Sequence, residues 1–140
     1  MKIEKFEDLP IWKLSLKITR NVYDLTSQPN FNRDFALRDQ IRRAVISVSS
    51  NIVEGFEKNN NNEFIRFLKI SKGSTGEVRN QLYIALAVKY ISKEQFDKTN
   101  QELKDLANQT GGFIAYLEKC RSQGNFIQKK KFVNSQSVNK

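Results

Sequence analysis

The chain has 140 residues, 39% of them apolar, which fits a single domain with one hydrophobic core. Its formal charge of +9 either attracts polyanions such as nucleic acid or serves only to keep the protein soluble. It contains no run near the ~18 apolar residues that a membrane-spanning helix needs, and no apolar segment near its start that would indicate a secretory signal. The single cysteine, Cys120, excludes an internal disulfide and favours a reducing, cytoplasmic location.

The first predicted helix runs from Leu9 to Ser27, with Pro10 in its first turn, where proline is tolerated. The segment from Ser27 to Asn30 contains Pro29 and is predicted to break it. Two stripes at helical spacing predict a wide buried face. They are Ile11, Leu14, Ile18, Val22 and Leu25, and Trp12, Leu16, Thr19 and Tyr23.

The second predicted helix runs from Asp34 to Phe56, and its main apolar stripe starts at Leu37. Ile46 and Val53 are apolar but lie off this stripe. They could simply widen the core of the same chain, or they could contact another subunit. We favour a subunit contact, because β-branched apolar side chains are seldom left in water as a row.

The third and fourth predicted helices run from Asn61 to Tyr90 and from Lys93 to Arg121. Asn60, followed three residues later by Glu63, is the pattern of a helix N-terminal cap. Gly73 lies in the middle of the third helix, where a glycine costs about 1 kcal/mol against alanine. Close approach of another backbone would offset that cost, so we expect two helices to touch there.

Strand signals are absent from the sequence, and long helices joined by short loops pack as antiparallel neighbours. The predicted fold is therefore all-α, an antiparallel up-down-up-down four-helix bundle over residues 1–121. Residues 122–140 hold four lysines, no acidic residue and no sustained periodicity. They predict a flexible basic tail.

The chemistry of most catalytic sites is missing. The chain has no histidine, which excludes imidazole bases, His-based triads and His-metal sites. Glu54 and Glu77 are the carboxylates inside long helices, but no Glu-x-x-His motif accompanies them, so salt bridges to Arg43 or Arg79 are expected instead. The sequence therefore predicts a protein that is not an enzyme and needs no cofactor or metal.

Basic side chains are the remaining functional signal. The candidates for nucleic-acid contact are Arg38, Arg42 and Arg43 on the second helix and Arg66, Lys69 and Lys72 on the third. An ordinary solvated surface is the alternative for all of them. The sequence shows no aromatic stacking platform beside them, so phosphate contacts and shape should dominate over the reading of bases.

Several short motifs together resemble a known family. They are Asp8-Leu9-Pro10-Ile11-Trp12-Lys13, Leu37-x-x-Gln40-Ile41-Arg42-Arg43-Ala44, Ser47-Val48-x-Ser50-Asn51-Ile52-x-Glu54-Gly55, Glu63-Phe64-x-x-Phe67-Leu68, Gly73-Ser74, and Glu77 with Leu82. Over roughly residues 6 to 120 the chain resembles the bacterial four helix bundle protein family. That family includes proteins encoded by intervening sequences in large-subunit ribosomal RNA genes and the accessory variability determinant of diversity-generating retroelements.

The resemblance implies a barrel-like homopentamer with a basic surface. For the retroelement members it also implies binding to a reverse transcriptase and to nucleic acid, whereas the intervening-sequence members have no settled activity. Six matched residues are expected to be architectural: Asn51, Glu54, Gly55, Gly73, Ser74 and Glu77. For Arg42 and Arg43, which also match, an architectural role and a ligand contact are both open.

Two hypotheses about function follow. The leading one is a non-enzymatic, oligomeric accessory protein that associates with nucleic acid through a basic surface, in its most specific form as an adaptor for a reverse transcriptase. The rival is a protein-interaction scaffold without a nucleic-acid role. Binding that weakens steeply with salt would distinguish the first from the second.

Overall fold

The computed structural model describes residues 3–122 and is built from α-helices. These are α1 (Pro10–Thr26), α2 (Pro29–Arg33), α3 (Phe35–Glu57), α4 (Asn61–Ala87) and α5 (Lys93–Ser122), after a single 3-10 turn at Phe6–Asp8. The all-α class is confirmed. The predicted basic tail lies outside the described residues, apart from its first residue, Ser122, which ends α5.

The four long helices pack in the cyclic order α1, α3, α4, α5 and back to α1. Hydrogen bonds between adjacent helices show their direction, because residue numbers that rise along one helix pair with numbers that fall along the next. The helix α4 therefore runs antiparallel to both α3 and α5. The pairs are Gln40 with Gln81, Val48 with Ser71, Arg79 with Asn100, and Asn62 with Arg121. This arrangement encloses one core.

The core contains the apolar stripes that helical spacing predicted. Its fully buried side chains include Ile18, Ile41, Ile52, Phe64, Leu68, Leu82, Leu103, Leu106 and Leu117. The second stripe of α1 behaves differently, because Leu16 is 51% exposed and Tyr23 is also exposed. Of the long helices, α3 and α5 flank α1, and the 3-10 turn packs on Trp12 through Phe6. No other element in residues 3–122 covers the rest of the second stripe.

Two helix boundaries differ from the sequence predictions. The predicted break after Ser27 contains the short helix α2, in which Pro29 occupies the first turn and Phe31 is fully buried. The helix expected to reach Tyr90 ends at Ala87, because Lys89 adopts a left-handed conformation at φ 67°. The N–H of Tyr90 then donates to the carbonyl of Ala85, as in a Schellman motif.

Helix capping follows the sequence closely. The Asn60 side chain accepts a hydrogen bond from the Glu63 N–H at 2.9 Å, as the capping pattern predicted. Asp34 caps α3 in the same way, accepting from the Leu37 N–H at 3.1 Å. These caps fix where α3 and α4 begin and therefore the register of their contact.

The close helix approach expected at Gly73 occurs at a different glycine. A Cβ atom added to Gly73 would meet no atom within 4 Å, whereas one added to Gly55 would lie 2.6 Å from the Cβ of Phe67. The prediction of a close helix contact at Gly73 was wrong for the described residues, because Gly73 points outward from α4. Gly55 on α3, in contrast, faces α4. None of the helices in residues 3–122 is long and apolar enough to cross a membrane.

Candidate nucleic-acid interface

The six predicted nucleic-acid contacts do not form one surface. Arg42 lies where α3 meets α1 and Arg38 lies where α3 meets α2, and both are half-buried. Arg42 donates to the Thr26 hydroxyl at 2.8 Å, and its guanidinium lies 4.4 Å from the centre of the Tyr23 ring. Because these contacts tie α1 to α3, they favour an architectural role for Arg42.

Arg38 is engaged in a similar way. Its Nε donates to the Asp39 carboxylate at 2.9 Å, and its Nη1 donates to the main-chain oxygen of Asn32 at 3.1 Å. Its guanidinium also lies 4.8 Å from the centre of the Phe35 ring. With two of its three nitrogens engaged within the chain and its charge paired with Asp39, Arg38 is a weak candidate for a phosphate contact.

Arg43 lies on the other flank of α3 and faces α4. It is exposed, and no ion pair to it is recorded among residues 3–122. It lines a polar pocket of about 240 Å³ together with Glu77 and Gln81. The side-chain amide oxygen of Gln81, Oε1, is buried without a hydrogen-bond partner in the described part of the chain.

The salt bridges expected for Glu54 and Glu77 are not formed within the described residues. Neither Arg43 nor Arg79 lies within 4.0 Å of either carboxylate, and Arg79 instead donates to the side chain of Asn100 at 2.9 Å. Among residues 3–122, no three Cys, Asp or Glu side chains are grouped so that they could hold a metal ion.

Arg66 is paired locally near the start of α4. It forms an ion pair with Glu63 at 3.0 Å, and its guanidinium lies 4.5 Å from the centre of the Phe67 ring. The hydrogen bond between the two side chains lowers the pKa of Glu63 and raises that of Arg66. Both groups are exposed, so this pair contributes little to stability.

Lys69 and Lys72 lie together in a groove between α4 and α5, which we call the α4–α5 groove. It has a volume of about 730 Å³, and a third cation, Arg79, lines it as well. Arg79 is not among the six residues that the sequence predicted as nucleic-acid contacts. Its position could have been predicted, however. Arg79 follows Lys72 by seven residues, which is two helical turns, so the two residues lie on the same face of α4.

The cations of the α4–α5 groove are only partly neutralised. Lys69 lies 3.9 Å from Glu118, and no ion pair to Lys72 is recorded among the described residues. Arg79 uses its Nε for Asn100, which leaves its two terminal nitrogens without a recorded partner in the described chain. One carboxylate thus faces three cations.

Glycines keep this groove open. Gly73, Gly76 and Gly111 all line it, and a Cβ atom on Gly73 or Gly76 would meet nothing within 4 Å. A Cβ atom on Gly111 would lie 3.7 Å from the Nζ of Lys72, so the lysine side chain lies beside the α5 backbone. A strand of phosphates could therefore come close to the helix backbones as well as to the cations.

The matched motif residues concentrate where α3 meets α4. The hydroxyl oxygens of Ser47 and Ser74 lie 3.0 Å apart, and the Asn51 amide donates to the Ser47 carbonyl at 2.7 Å. Gly55 lies against Phe67 at the far end of the same contact. These contacts fit the architectural interpretation of the motif.

An apolar patch lies on the outside of the α1–α3 contact, and we call it the α1–α3 patch. It is defined by Leu16 and Tyr23 on α1 and by Ile46 and Val53 on α3, two helices that pack against each other with Arg42 of α3 beside Tyr23 of α1. Ile46 is 44% exposed and Val53 is half-buried. The patch agrees with the expectation that these two residues contact another subunit, which stays a prediction.

A family model described as 23S rRNA-intervening sequence protein matches residues 7–112. Among solved structures, the chain is similar to a protein of unknown function from the S23 ribosomal protein family of Bacteroides thetaiotaomicron. That similarity has a TM-score of 0.69 and 24% identity over 75% of this chain and 95% of that chain, and it concerns the fold. The comparison with curated proteins found no match. With more than half of its length matched, the chain belongs to the 23S rRNA-intervening sequence protein family.

Proposed function

We propose that this protein is a non-enzymatic accessory protein that binds nucleic acid through the α4–α5 groove. The observation that carries the proposal is the grouping of Lys69, Lys72 and Arg79 in one open groove with a single carboxylate, Glu118. Lysine and arginine contacts to phosphates supply affinity without sequence preference. A cytoplasmic location is part of the proposal.

RNA is the first ligand to test. The family description refers to 23S rRNA, which makes an RNA partner the natural starting point. The role as an adaptor for a reverse transcriptase stays a prediction from the resemblance. The identity of the neighbouring genes would test it directly, because a retroelement places a reverse transcriptase gene beside its accessory gene.

The salt dependence of binding tests the proposal. Three neutralised phosphates per protomer should make the log of affinity fall with the log of salt concentration with a slope of about −2 to −3. The double variant Lys72→Gln/Arg79→Gln should reduce that slope by about two, because each lost cation releases one contact. Fluorescence anisotropy with a labelled RNA would measure both slopes.

Two exposed lysines outside the groove provide the matched control. Lys13 is exposed on α1 and Lys98 is exposed on α5. Lys13→Gln/Lys98→Gln removes the same net charge as the groove variant and should change affinity much less. If both double variants weaken binding equally, the α4–α5 groove is not the binding surface. If the wild-type protein binds no nucleic acid even at low salt, the proposal is wrong.

A protein-interaction scaffold is the second candidate function, and the α1–α3 patch is the observation that favours it. Leu16 and Ile46 are each about half exposed although both are large apolar side chains. A second copy of the chain is the partner that the family resemblance implies. Absence of nucleic-acid binding together with a stable homo-oligomer would favour this scaffold function.

A further inference from the structure

An exposed aromatic side chain, Tyr83, lies just beyond the end of the α4–α5 groove, on the same face of α4 as the three groove cations. Tyr83 follows Arg79 by four residues, one helical turn, so the two side chains are neighbours on the same face of α4. The ring of Tyr83 lies 4.7 Å from that of Phe96 on α5, centre to centre, which places it where α4 meets α5. Tyr83 is nevertheless 50% exposed.

The surroundings of Tyr83 suit a base-stacking platform. Phe96 is buried and packs against the tyrosine at an interplanar angle of 56°, which supports the ring from the protein side. The exposed half of the side chain remains open to solvent. A supported aromatic ring with one open side can stack an unpaired base of any identity, because every base has a π-face.

We infer that the α4–α5 groove takes a single strand of nucleic acid, one base of which stacks on Tyr83 while its phosphates contact Lys69, Lys72 and Arg79. This inference rests on the proposed function and specifies its ligand. From Lys69 to Tyr83 the helix rises about 21 Å. That length matches about six nucleotides at the ~3.4 Å spacing of stacked bases.

A duplex fits this arrangement less well. Its bases are stacked on one another and hydrogen-bonded, so it offers the groove phosphates but no free base face for Tyr83. Within residues 3–122, the other exposed aromatic side chains do not follow a row of cations in this way. Tyr23 on α1 and Phe35 on α3 each lie beside a single arginine, Arg42 and Arg38, and Tyr116 on α5 stacks on Phe113.

The test compares Tyr83→Leu with Tyr83→Phe. Tyr83→Leu removes the ring, whereas Tyr83→Phe keeps it. The probes are a single strand of about ten nucleotides, in RNA and DNA versions, and the matching duplex. We expect Tyr83→Leu to weaken single-strand binding about tenfold to a hundredfold and to leave duplex binding unchanged. Tyr83→Phe should bind the single strand with the affinity of the wild-type protein.

Two controls separate stacking from a general loss of structure. Tyr116→Leu removes an exposed tyrosine outside the groove, and it should leave single-strand binding unchanged. A strand with abasic sites keeps its phosphates but loses its bases, so wild-type protein should bind it more weakly than the intact strand. Tyr83→Leu should bind the abasic and intact strands alike. Melting temperature and molecular mass confirm that each variant is folded and assembled.

The outcomes also separate this inference from the proposed function. A duplex that binds as tightly as the single strand, or Tyr83→Leu with unchanged single-strand affinity, overturns the inference and leaves salt-dependent nucleic-acid binding in place. Absence of binding to all probes overturns the proposed function itself. The inference is borne out if the wild-type protein binds the RNA or the DNA single strand more tightly than the duplex and Tyr83→Leu abolishes that preference.

Discussion

Gly55 on α3 and Phe67 on α4 approach so closely that a Cβ atom on the glycine would lie 2.6 Å from the Cβ of the phenylalanine. The aromatic ring of Phe64 would be 3.1 Å from the same point. The Cβ of Phe67 is attached directly to the backbone, so it cannot rotate away as the end of a long side chain could. Any side chain at position 55 must therefore push α4 away from α3.

Gly55→Ala is predicted to destabilise the protein. Overpacking of this kind typically costs about 1–3 kcal/mol, which exceeds the ~1 kcal/mol that alanine gains over glycine in a helix. Urea denaturation followed by circular dichroism would measure the change in the free energy of unfolding. Gly73→Ala is the matched control, because a Cβ atom there meets nothing.

Gly73→Ala should leave stability unchanged or raise it by about 0.5–1 kcal/mol, since only the helix propensity changes. If the two glycine variants had equal stability, the close contact at Gly55 would have no energetic consequence. A destabilised Gly73→Ala variant would instead indicate a neighbour outside the protomer, such as a second subunit.

Arg42 and Arg43, adjacent in sequence, are predicted to respond differently to substitution by glutamine. Arg42→Gln loses the hydrogen bond to Thr26 and the contact with the Tyr23 ring, which together contribute about 1–2 kcal/mol. Arg43→Gln should change the melting temperature little, because no partner for Arg43 is recorded in residues 3–122. Thermal unfolding of the two variants measures the difference, and equal melting temperatures would contradict the assignment of Arg42 to the α1–α3 contact.

The sequence predicted the fold better than the site. Helical spacing identified the buried faces and the four long helices to within a few residues, because both depend on local pattern. The same spacing places Arg66 and Lys69 off the buried face of α4, and both are exposed. It could not show that Arg66 would pair with Glu63 while Lys69 would face α5, because that depends on which helix packs beside α4.

The C-terminus of α4 and the grouping of Arg79 with Tyr83 are two features that the sequence predictions missed. The left-handed conformation of Lys89 ends α4 early, and this end could not be predicted, because lysine has no special preference for that conformation. Arg79 and Tyr83, in contrast, lie on the same face as Lys72 and could have been grouped by helical spacing. The sequence alone could not show that this face of α4 borders an open groove against α5, which is what makes the two residues candidates.

The hydroxyl of Tyr90 makes stability depend on alkaline pH. It donates a hydrogen bond to the Asp34 carboxylate at 3.0 Å, and this bond raises the pKa of Tyr90 above its ordinary value of about 10. The stabilisation is present below that ordinary value and is lost as the pH rises through the raised one. Tyr90→Phe should therefore show a smaller fall in the urea midpoint at alkaline pH than the wild type.

Asp34→Asn serves as the second variant for this prediction. Asparagine can still cap α3, because its side-chain oxygen can accept from the Leu37 N–H. It removes the negative charge beside Tyr90, so the midpoint should again fall less steeply with pH than in the wild type. If all three proteins lost stability in parallel above pH ~10, the bond between Tyr90 and Asp34 would not be the cause.

The α1–α3 patch is predicted to hold copies of the chain together. Light scattering of the wild-type protein at micromolar concentration should give a mass several times 16.3 kDa, and five copies are expected from the family resemblance. Ile46→Glu places a charge in the centre of the patch, where burial against a partner would leave it unpaired, so this variant should shift the mass toward that of the monomer.

Ile84→Glu is the matched control, because Ile84 on α4 is 43% exposed and Ile46 is 44% exposed. A monomeric wild-type protein, or an equal loss of mass in both variants, would show that Ile46 and Val53 do not form the subunit contact.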